Sequence, residues 1–187
     1  MGSKKLELPF KKGLHVNVVR TIAEGLNAIN ELNTYLELGV QRGQCFNSVA
    51  PLVRKTAYAV DISDQTFGFI KSNKNLKWFN GKTDDFFAQL EKITFDMVFI
   101  DADHNHTSSM KDFDNVFPLV RDNGLILLHD TYPPSKEFIE PSYCGDTYKT
   151  AECIKQNYKD KCEIVTLPFY FGVSVVRKCV KQLNYMS

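Results

Sequence analysis

Two short stretches of this sequence gather most of the side chains that could move a proton or hold a cation. Three of its four histidines lie in them: Asp101-Ala102-Asp103-His104-Asn105-His106 and Leu128-His129-Asp130. Carboxylates beside imidazoles serve two kinds of chemistry. A histidine, titrating near pH 6.5, can take a proton from a hydroxyl at neutral pH. Oxygen ligands beside a histidine also suit Mg2+, Mn2+ or another divalent ion that keeps room for water and substrate. The same residues have structural readings. Asp103 and His106 could be solvated loop residues, and His129 a packed residue that orients Asp130. Asp112 and Asp114 fall on the polar face of the helix that follows.

Both stretches come directly after runs of apolar residues, Met97–Ile100 and Leu125–Leu128, which read as buried strands. The whole chain repeats that pattern. Val18, Val19, Ile22, Leu26 and Ile29 fall at helical spacing from Leu14 onward. Tyr35–Leu38 predicts a strand, Gly43–Leu52 a helix and Ala57–Val60 a strand. A helix over 64–72, a strand over 76–79 and a helix over 84–90 follow. Met110, Phe113, Phe117 and Val120 line one face of the next helix, and Asp122-Asn123-Gly124 makes a turn before Leu125. Short continuous apolar strands alternating with helices predict a parallel sheet covered on both faces, and right-handed crossovers make it doubly wound. After a helix near 149–156, the segments 162–167 and 170–177 are joined by a short link, which predicts an antiparallel hairpin at the sheet edge. The fold class is therefore α/β, a Rossmann-like doubly wound sandwich, expected as one domain over residues 1–187.

Ligands in such folds bind beyond the carboxyl ends of the strands. The first strand runs into Glu37-Leu38-Gly39-Val40-Gln41-Arg42-Gly43. Glycines at 39 and 43 allow a ligand close to the backbone, and the helix that follows offers free N–H groups to a carboxylate. Asp61 ends the second strand, where an acid can accept hydrogen bonds from both hydroxyls of a ribose. These features point to a nucleoside-containing cofactor. The middle glycine of GxGxxG, against which a pyrophosphate would sit, is missing, so NAD is the weaker candidate. Each element alone also has a plain structural reading, a tight strand–helix turn for ExGxxxG and a helix N-cap for Asp61.

Together these segments are similar to class I S-adenosylmethionine-dependent methyltransferases over residues 33–177. Leu36–Gly43 resembles their motif I, Ala59-Val60-Asp61-Ile62 their ribose-binding motif, Phe95–Asp101 their motif IV, and Asp122–Ile126 the turn before the fifth strand. Asn80-Gly81-Lys82-Thr83 sits where many members contact adenine through Gly-Asp-Ser, with Lys82 a departure. The resemblance implies a seven-stranded, mostly parallel sheet with an antiparallel C-terminal strand. It also implies a cofactor held by Glu37, Gly39, Val40, Gly43, Asp61, Ile62, Thr83 and Asp101. The fourth and fifth strands are neighbours in that sheet, about 4.8 Å apart, so Asp101 and Asp130 would end side by side.

The closest branch is the metal-using small-molecule O-methyltransferases, methyltransferase 24-like and sugar-modifying. An Asp-x-x-His follows their fourth strand and an acidic pair their fifth. Asp101 and His104 match the first element; at the second, Asp130 matches and His129 replaces a carboxylate. The resemblance thus implies His104 and Asp101 as catalytic residues and Asp101, His129 and Asp130 as ligands for Mg2+ or another divalent cation. It also leaves open that Asp101 only holds the methionine amino group. The irregular stretch 131–147 is expected to cover the substrate, with Tyr132 and Tyr143 available for stacking.

Composition removes other classes. A net charge of +1 without a long charged run gives no nucleic-acid surface. Five cysteines without a CxxC pair argue against a disulfide framework and a structural zinc site. No apolar run approaches the roughly 18 residues of a membrane span, and the first ten residues lack the apolar core of a signal peptide. The expected setting is a reducing cytoplasm, the expected partner a small-molecule substrate, and a homodimer the default assembly. Two alternatives remain, a nucleotide-cofactor oxidoreductase and a non-catalytic protein that keeps the fold for interaction.

Overall fold

The computed structural model describes residues 13–179; the reading of the first ten residues lies outside them. Seven strands form one sheet: β1 (Thr34–Leu38), β2 (Thr56–Asp61), β3 (Leu76–Asn80), β4 (Phe95–Ile100), β5 (Val120–His129), β6 (Cys162–Leu167) and β7 (Val173–Lys178). Among the described residues five α-helices flank it, α1 (Leu14–Ala28) before β1 and α2 (Gln44–Val49), α3 (Thr83–Gln89), α4 (His106–Val116) and α5 (Tyr148–Asn157) between strands. The strand order is β3-β2-β1-β4-β5-β7-β6. The first five strands are parallel. β7 runs antiparallel between β5 and β6, so β6 is the edge. The chain reverses direction across the sheet between β1 and β4, and the tips of these strands flank the crevice where such folds bind ligands.

Strand alternation divides the core between the two faces. In β4, Met97 and Phe99 pack with Val19 and Ala23 of α1 and Phe46 and Val49 of α2. Val98 and Ile100 pack on the opposite side with Phe86 of α3, Phe113 of α4 and Ile154 of α5. All six residues of β4 are buried. No helix among the described residues is long and apolar enough to cross a membrane.

Three local expectations need correction. The helix expected over 64–72 is only a 3-10 stretch, Asp64–Phe69; Gly68 and the exposed Phe67 and Phe69 leave it no apolar face to bury. The turn at Asp122-Asn123-Gly124 lies inside β5, as a register irregularity opposite Phe95–Met97 with Asn123 at φ 59°. Val120 begins β5, and Phe117–Leu119 forms a 3-10 turn at the end of α4.

Asp96 is the one charged residue in buried β4, and its partners explain why it is tolerated. Asp96 Oδ2 accepts from the backbone N–H groups of Asn33 and Thr34 at 2.7 and 2.8 Å, and Oδ1 accepts from Arg121 Nε at 2.7 Å. One carboxylate therefore ties the entrance of β1 to β4 and β5. Asp96→Ala leaves two backbone N–H groups and Arg121 Nε without their acceptor, the guanidinium keeping Glu31 and the Asp122 carbonyl. It should cost about 3 kcal/mol of folding stability, read as a lower urea midpoint with an unchanged denaturant slope.

Candidate active site

The turn after β1 is shaped by a close approach of two backbones. Gly39 has φ 83°, and a Cβ there would run into the Asp101 carbonyl and Ala102 Cα at the tip of β4. The next residues curl over the end of β2, whose Asp61 fixes them. Asp61 Oδ2 accepts from Val40 N and Gln41 N at 2.9 and 2.7 Å, and Oδ1 accepts from Ser63 N at 2.8 Å. A carboxylate has about four acceptor positions, so Oδ1 keeps one for a ligand. Below the turn, Glu37 is buried and its Oε2 accepts from the Tyr35 hydroxyl at 2.6 Å. Burial raises its carboxyl to about 8, with the Tyr35 hydrogen bond opposing and the Asp101 charge adding to the rise.

At the tips of β4 and β5 four side chains interlock. His129 Nε2 lies 2.9 Å from the Tyr170 carbonyl oxygen, which can only accept, so that nitrogen carries a proton. Its Nδ1 is 3.0 Å from Asp101 Oδ1 and 3.4 Å from Asp130 Oδ1. Burial opposes a charge on this ring, but Asp101 and Asp130 outweigh it and hold the imidazole protonated well above its ordinary range. On the other side of the same carboxylate, His104 Nε2 is 3.1 Å from Asp130 Oδ2. Asp130 is buried and sits at φ 58°, a backbone conformation costly for a residue with a side chain. Burial and the Asp130 carboxylate push the Cys144 thiol up, the thiol being hydrogen-bonded to Asp130.

Two further segments close over these groups. In the link between β6 and β7, Tyr170 and Phe171 both have positive φ, 43° and 66°. Phe171 packs with Phe138 and Cys144 of the stretch after β5, which anchors that stretch as a packed cover. His15, in the first turn of α1, stacks on His129 with ring centroids 4.2 Å apart and on Tyr170 at 5.0 Å. Burial, with the His129 charge behind it and Asp101 opposing, pulls His15 down to about 4, so it is neutral beside the charged ring. Its Nδ1 is buried with no hydrogen-bond partner.

These residues line a cleft of about 810 Å3 that includes His15, Glu37, Val40, Asp101, His104 and Tyr143. A second cleft, of about 590 Å3, includes Ile62, Lys82, Thr83, Asp103 and Asp112. Gly39, Asp61 and Ala102 line both, so Asp61 stands where the two meet. An elongated ligand can thus cross the tips of β1 and β2 with one end at His104 and the other against Thr83.

A family model for the methyltransferase domain matches residues 36–131, just over half of the chain. The chain belongs to this methyltransferase-domain family. The match runs from motif I through the tip of β5, and the recognition of a class I S-adenosylmethionine-dependent methyltransferase from the sequence holds. No curated protein sequence matches. Among solved structures, an O-methyltransferase from Bacillus cereus in complex with SAH is 16% identical, with TM-score 0.71, covering 92% of this chain and 84% of its own. The O-methyltransferase TomG from Streptomyces achromogenes, in complex with SAM, is 14% identical with TM-score 0.70, covering 92% and 83%. A SAH-bound methyltransferase from Podospora anserina is 14% identical with TM-score 0.61, covering 94% and 99%. At these identities the likeness is one of fold.

The geometry sorts the expected site residues of the methyltransferase. Glu37, Gly39, Val40, Asp61 and Asp101 line the first cleft, and Ile62 and Thr83 line the second. Gly43 lines neither. It has φ 67°, caps α2 and packs against Asn47 and the Phe69 carbonyl, so its freedom serves the turn and not a ligand. Of the expected ligand set Asp101, His129 and Asp130, the two carboxylates meet at the strand tips. Both nitrogens of His129 are engaged and its ring is cationic, whereas donor atoms of Asp101, His104 and Asp130 all lie within 4.8 Å of one another. His106 begins α4 and is half-buried, its Nδ1 lying 3.0 Å from Thr150 Oγ1 of α5. Asp112 is buried and not on a polar face, while Asp114 is exposed and accepts from the Tyr158 hydroxyl. Tyr143 lines the first cleft; Tyr132 is not among its lining residues.

His15 escaped the sequence reading although its signal was present, since it falls on the same helical face as Val19 and Ile22. Gly145 also went unread. It has φ 54°, and a Cβ there would overlap the His104 carbonyl oxygen, while Asp146 N donates to that same oxygen at 3.1 Å. The cover thus sets the position of His104. Gly145→Ala should lower turnover about 100-fold by displacing His104, with SAH affinity by calorimetry unchanged. Glu37 makes a pH prediction. Its folded value of about 8 exceeds its ordinary 4.5, so the folded state holds a proton the unfolded state has released, and stability falls as pH rises between these values. Glu37→Gln removes that loss. The melting temperature of the variant minus that of the wild type should grow between about pH 5 and pH 8 and then level off; a constant difference would show an ordinary carboxylate.

Proposed function

We propose that this methyltransferase moves the methyl group of S-adenosylmethionine to a hydroxyl oxygen of a small metabolite. The observation that carries the reading is the His104–Asp130 pair facing the end of a groove that begins at the nucleoside-type turn of Gly39 and Asp61. The residues present fit the cofactor. Asp61 keeps an acceptor position for a ribose hydroxyl, and Ile62, 70% exposed at the second cleft, offers an apolar surface to a base. The SAM- and SAH-bound neighbours with this fold support S-adenosylmethionine as the cofactor.

The bound cofactor supplies a methyl carbon already activated by positive sulfur, and the chain supplies position and proton transfer. His104, its Nε2–H donating to the buried Asp130 carboxylate, takes the proton of the acceptor hydroxyl at Nδ1, and that carboxylate stabilises the imidazolium that forms. The cationic His129 keeps Asp101 and Asp130 together so that this carboxylate stays in place. Tyr143, Tyr170 and Phe171 enclose the acceptor end and exclude water. A cleft of this size and lining suits a small hydroxylated metabolite or sugar.

Two carboxylates and an imidazole within 4.8 Å also suit a divalent cation. Asp101, His104 and Asp130 would hold it, and it would polarise the same hydroxyl. An imidazole bound to a metal is too weak a base to take that proton as well, so the two roles of His104 give opposite responses to chelators. The oxidoreductase alternative is not favoured, because Gln41, with its side chain, stands where a dinucleotide needs the middle glycine.

The test is calorimetry with S-adenosylhomocysteine, followed by transfer of labelled methyl to a panel of small hydroxylated compounds. Saturable binding is expected. His104→Ala should leave that binding intact and reduce turnover by about 100-fold or more, with wild-type activity persisting in EDTA if His104 is the base. No binding at millimolar ligand would sink the reading.

A further inference from the structure

We infer that Asp112 selects the cofactor's base, its buried carboxyl accepting a hydrogen bond from the exocyclic amine of adenine at the floor of the second cleft. The inference rests on the cofactor reading above. If Asp61 meets the ribose where the two clefts join, and the sulfonium end must reach His104, the base has only the second cleft to enter. There Val60 and the exposed Ile62 offer apolar surface to the flat face of a ring, so what remains is to meet its polar edge.

The polar groups around that cleft are not equivalent. Asp84 is paired with Lys111 Nζ at 2.6 Å, with both side chains half exposed, so this acid is already matched at the rim. Asp103 and Lys82 are exposed to solvent. Asp112 is different: it lies in α4 at 3% exposure and still lines the cleft. Its partner is the Thr83 hydroxyl, which uses one of the acceptor positions of the carboxyl. Burial pushes the carboxyl up to about 6, with Asp84 and Asp103 adding to the rise while Thr83 and Lys111 oppose it. A buried carboxyl that still lines a cleft gains from a ligand that brings an N–H. Adenine carries an amine on its edge, and hypoxanthine carries a carbonyl oxygen in that place, which would face the carboxylate lone pairs. Thr83, expected to touch the base itself, thereby acts by orienting Asp112.

The experiment compares S-adenosylhomocysteine with S-inosylhomocysteine, which differs only in that amine, by calorimetry on the full chain. The wild type should prefer the adenosyl compound by about tenfold or more. Asp112→Asn keeps the shape and the Thr83 contact but can present its own N–H2 to a carbonyl, so the preference should fall to near one or invert. Equal affinities in the wild type, or an undiminished preference in Asp112→Asn, would overturn the inference. Absence of any S-adenosylhomocysteine binding to the wild type would instead remove the cofactor reading beneath it. The ligand-free melting temperature reports whether the variant is folded, and the wild-type ratio is decisive without any variant.

Discussion

A protonated imidazole wedged between two carboxylates holds the working end of this molecule together. Parallel strands bring Asp101 and Asp130 to adjacent tips, and two such groups repel unless something positive stands between them. His129 supplies that charge from within β5, with Nδ1 toward Asp101 and Nε2 closed off by the Tyr170 carbonyl. The second bond matters as much as the first. It fixes a proton on the far nitrogen, leaving the near one to face the acids, and it couples the β5 tip to the strained link between β6 and β7. His104 can then lean on an Asp130 carboxylate that is also held by His129 beside it and by the Cys144 thiol.

The groove leading to that end depends on a second carboxylate used in the opposite way. Asp61 gives two acceptor positions to the backbone of the Gly39 turn and a third to Ser63 N, which fixes the turn before any ligand arrives. The cost is that fewer positions remain for a ribose than a free acid would offer. The gain is a preformed floor between the clefts, and a ligand that finds its site already built gives up less of its binding free energy to ordering the protein.

Much of this was legible in the residues. Apolar runs of four gave the parallel strands because a strand buried on both faces has no polar alternation to show, and β4 is the clearest example. Gly39 and Asp61 stood out because strand tips in this architecture are where ligands bind. What could not be read was everything set by distant segments meeting. His129 looked like a metal ligand because sequence shows a side chain but not the carbonyl of Tyr170, 41 positions later, that occupies its second nitrogen. Asp112 looked like a solvated helix residue because Met110, Phe113 and Phe117 already defined an apolar stripe. The packing of α4 buries a second stripe through Ser109, Asp112 and Val116. Gly145 gave no sign that the backbone of His104 would lie against it.

The replacement of a carboxylate by His129 has a consequence for the charge of the whole site. With His129 protonated, Asp101 and Asp130 leave a net charge of one negative unit around the acceptor end. A carboxylate at position 129 would leave three, a field that favours a divalent cation strongly. One negative unit matches a single sulfonium, and it changes little as the proton passes from the acceptor hydroxyl to His104, since charge is only redistributed within the cleft. Glu37, held protonated below about pH 8 by its burial, adds nothing to that count. The histidine therefore does more than occupy a ligand position. It lowers the electrostatic demand for a metal at the very tips where the fold would otherwise concentrate carboxylates, which is why the proposed mechanism gives the hydroxyl proton to His104.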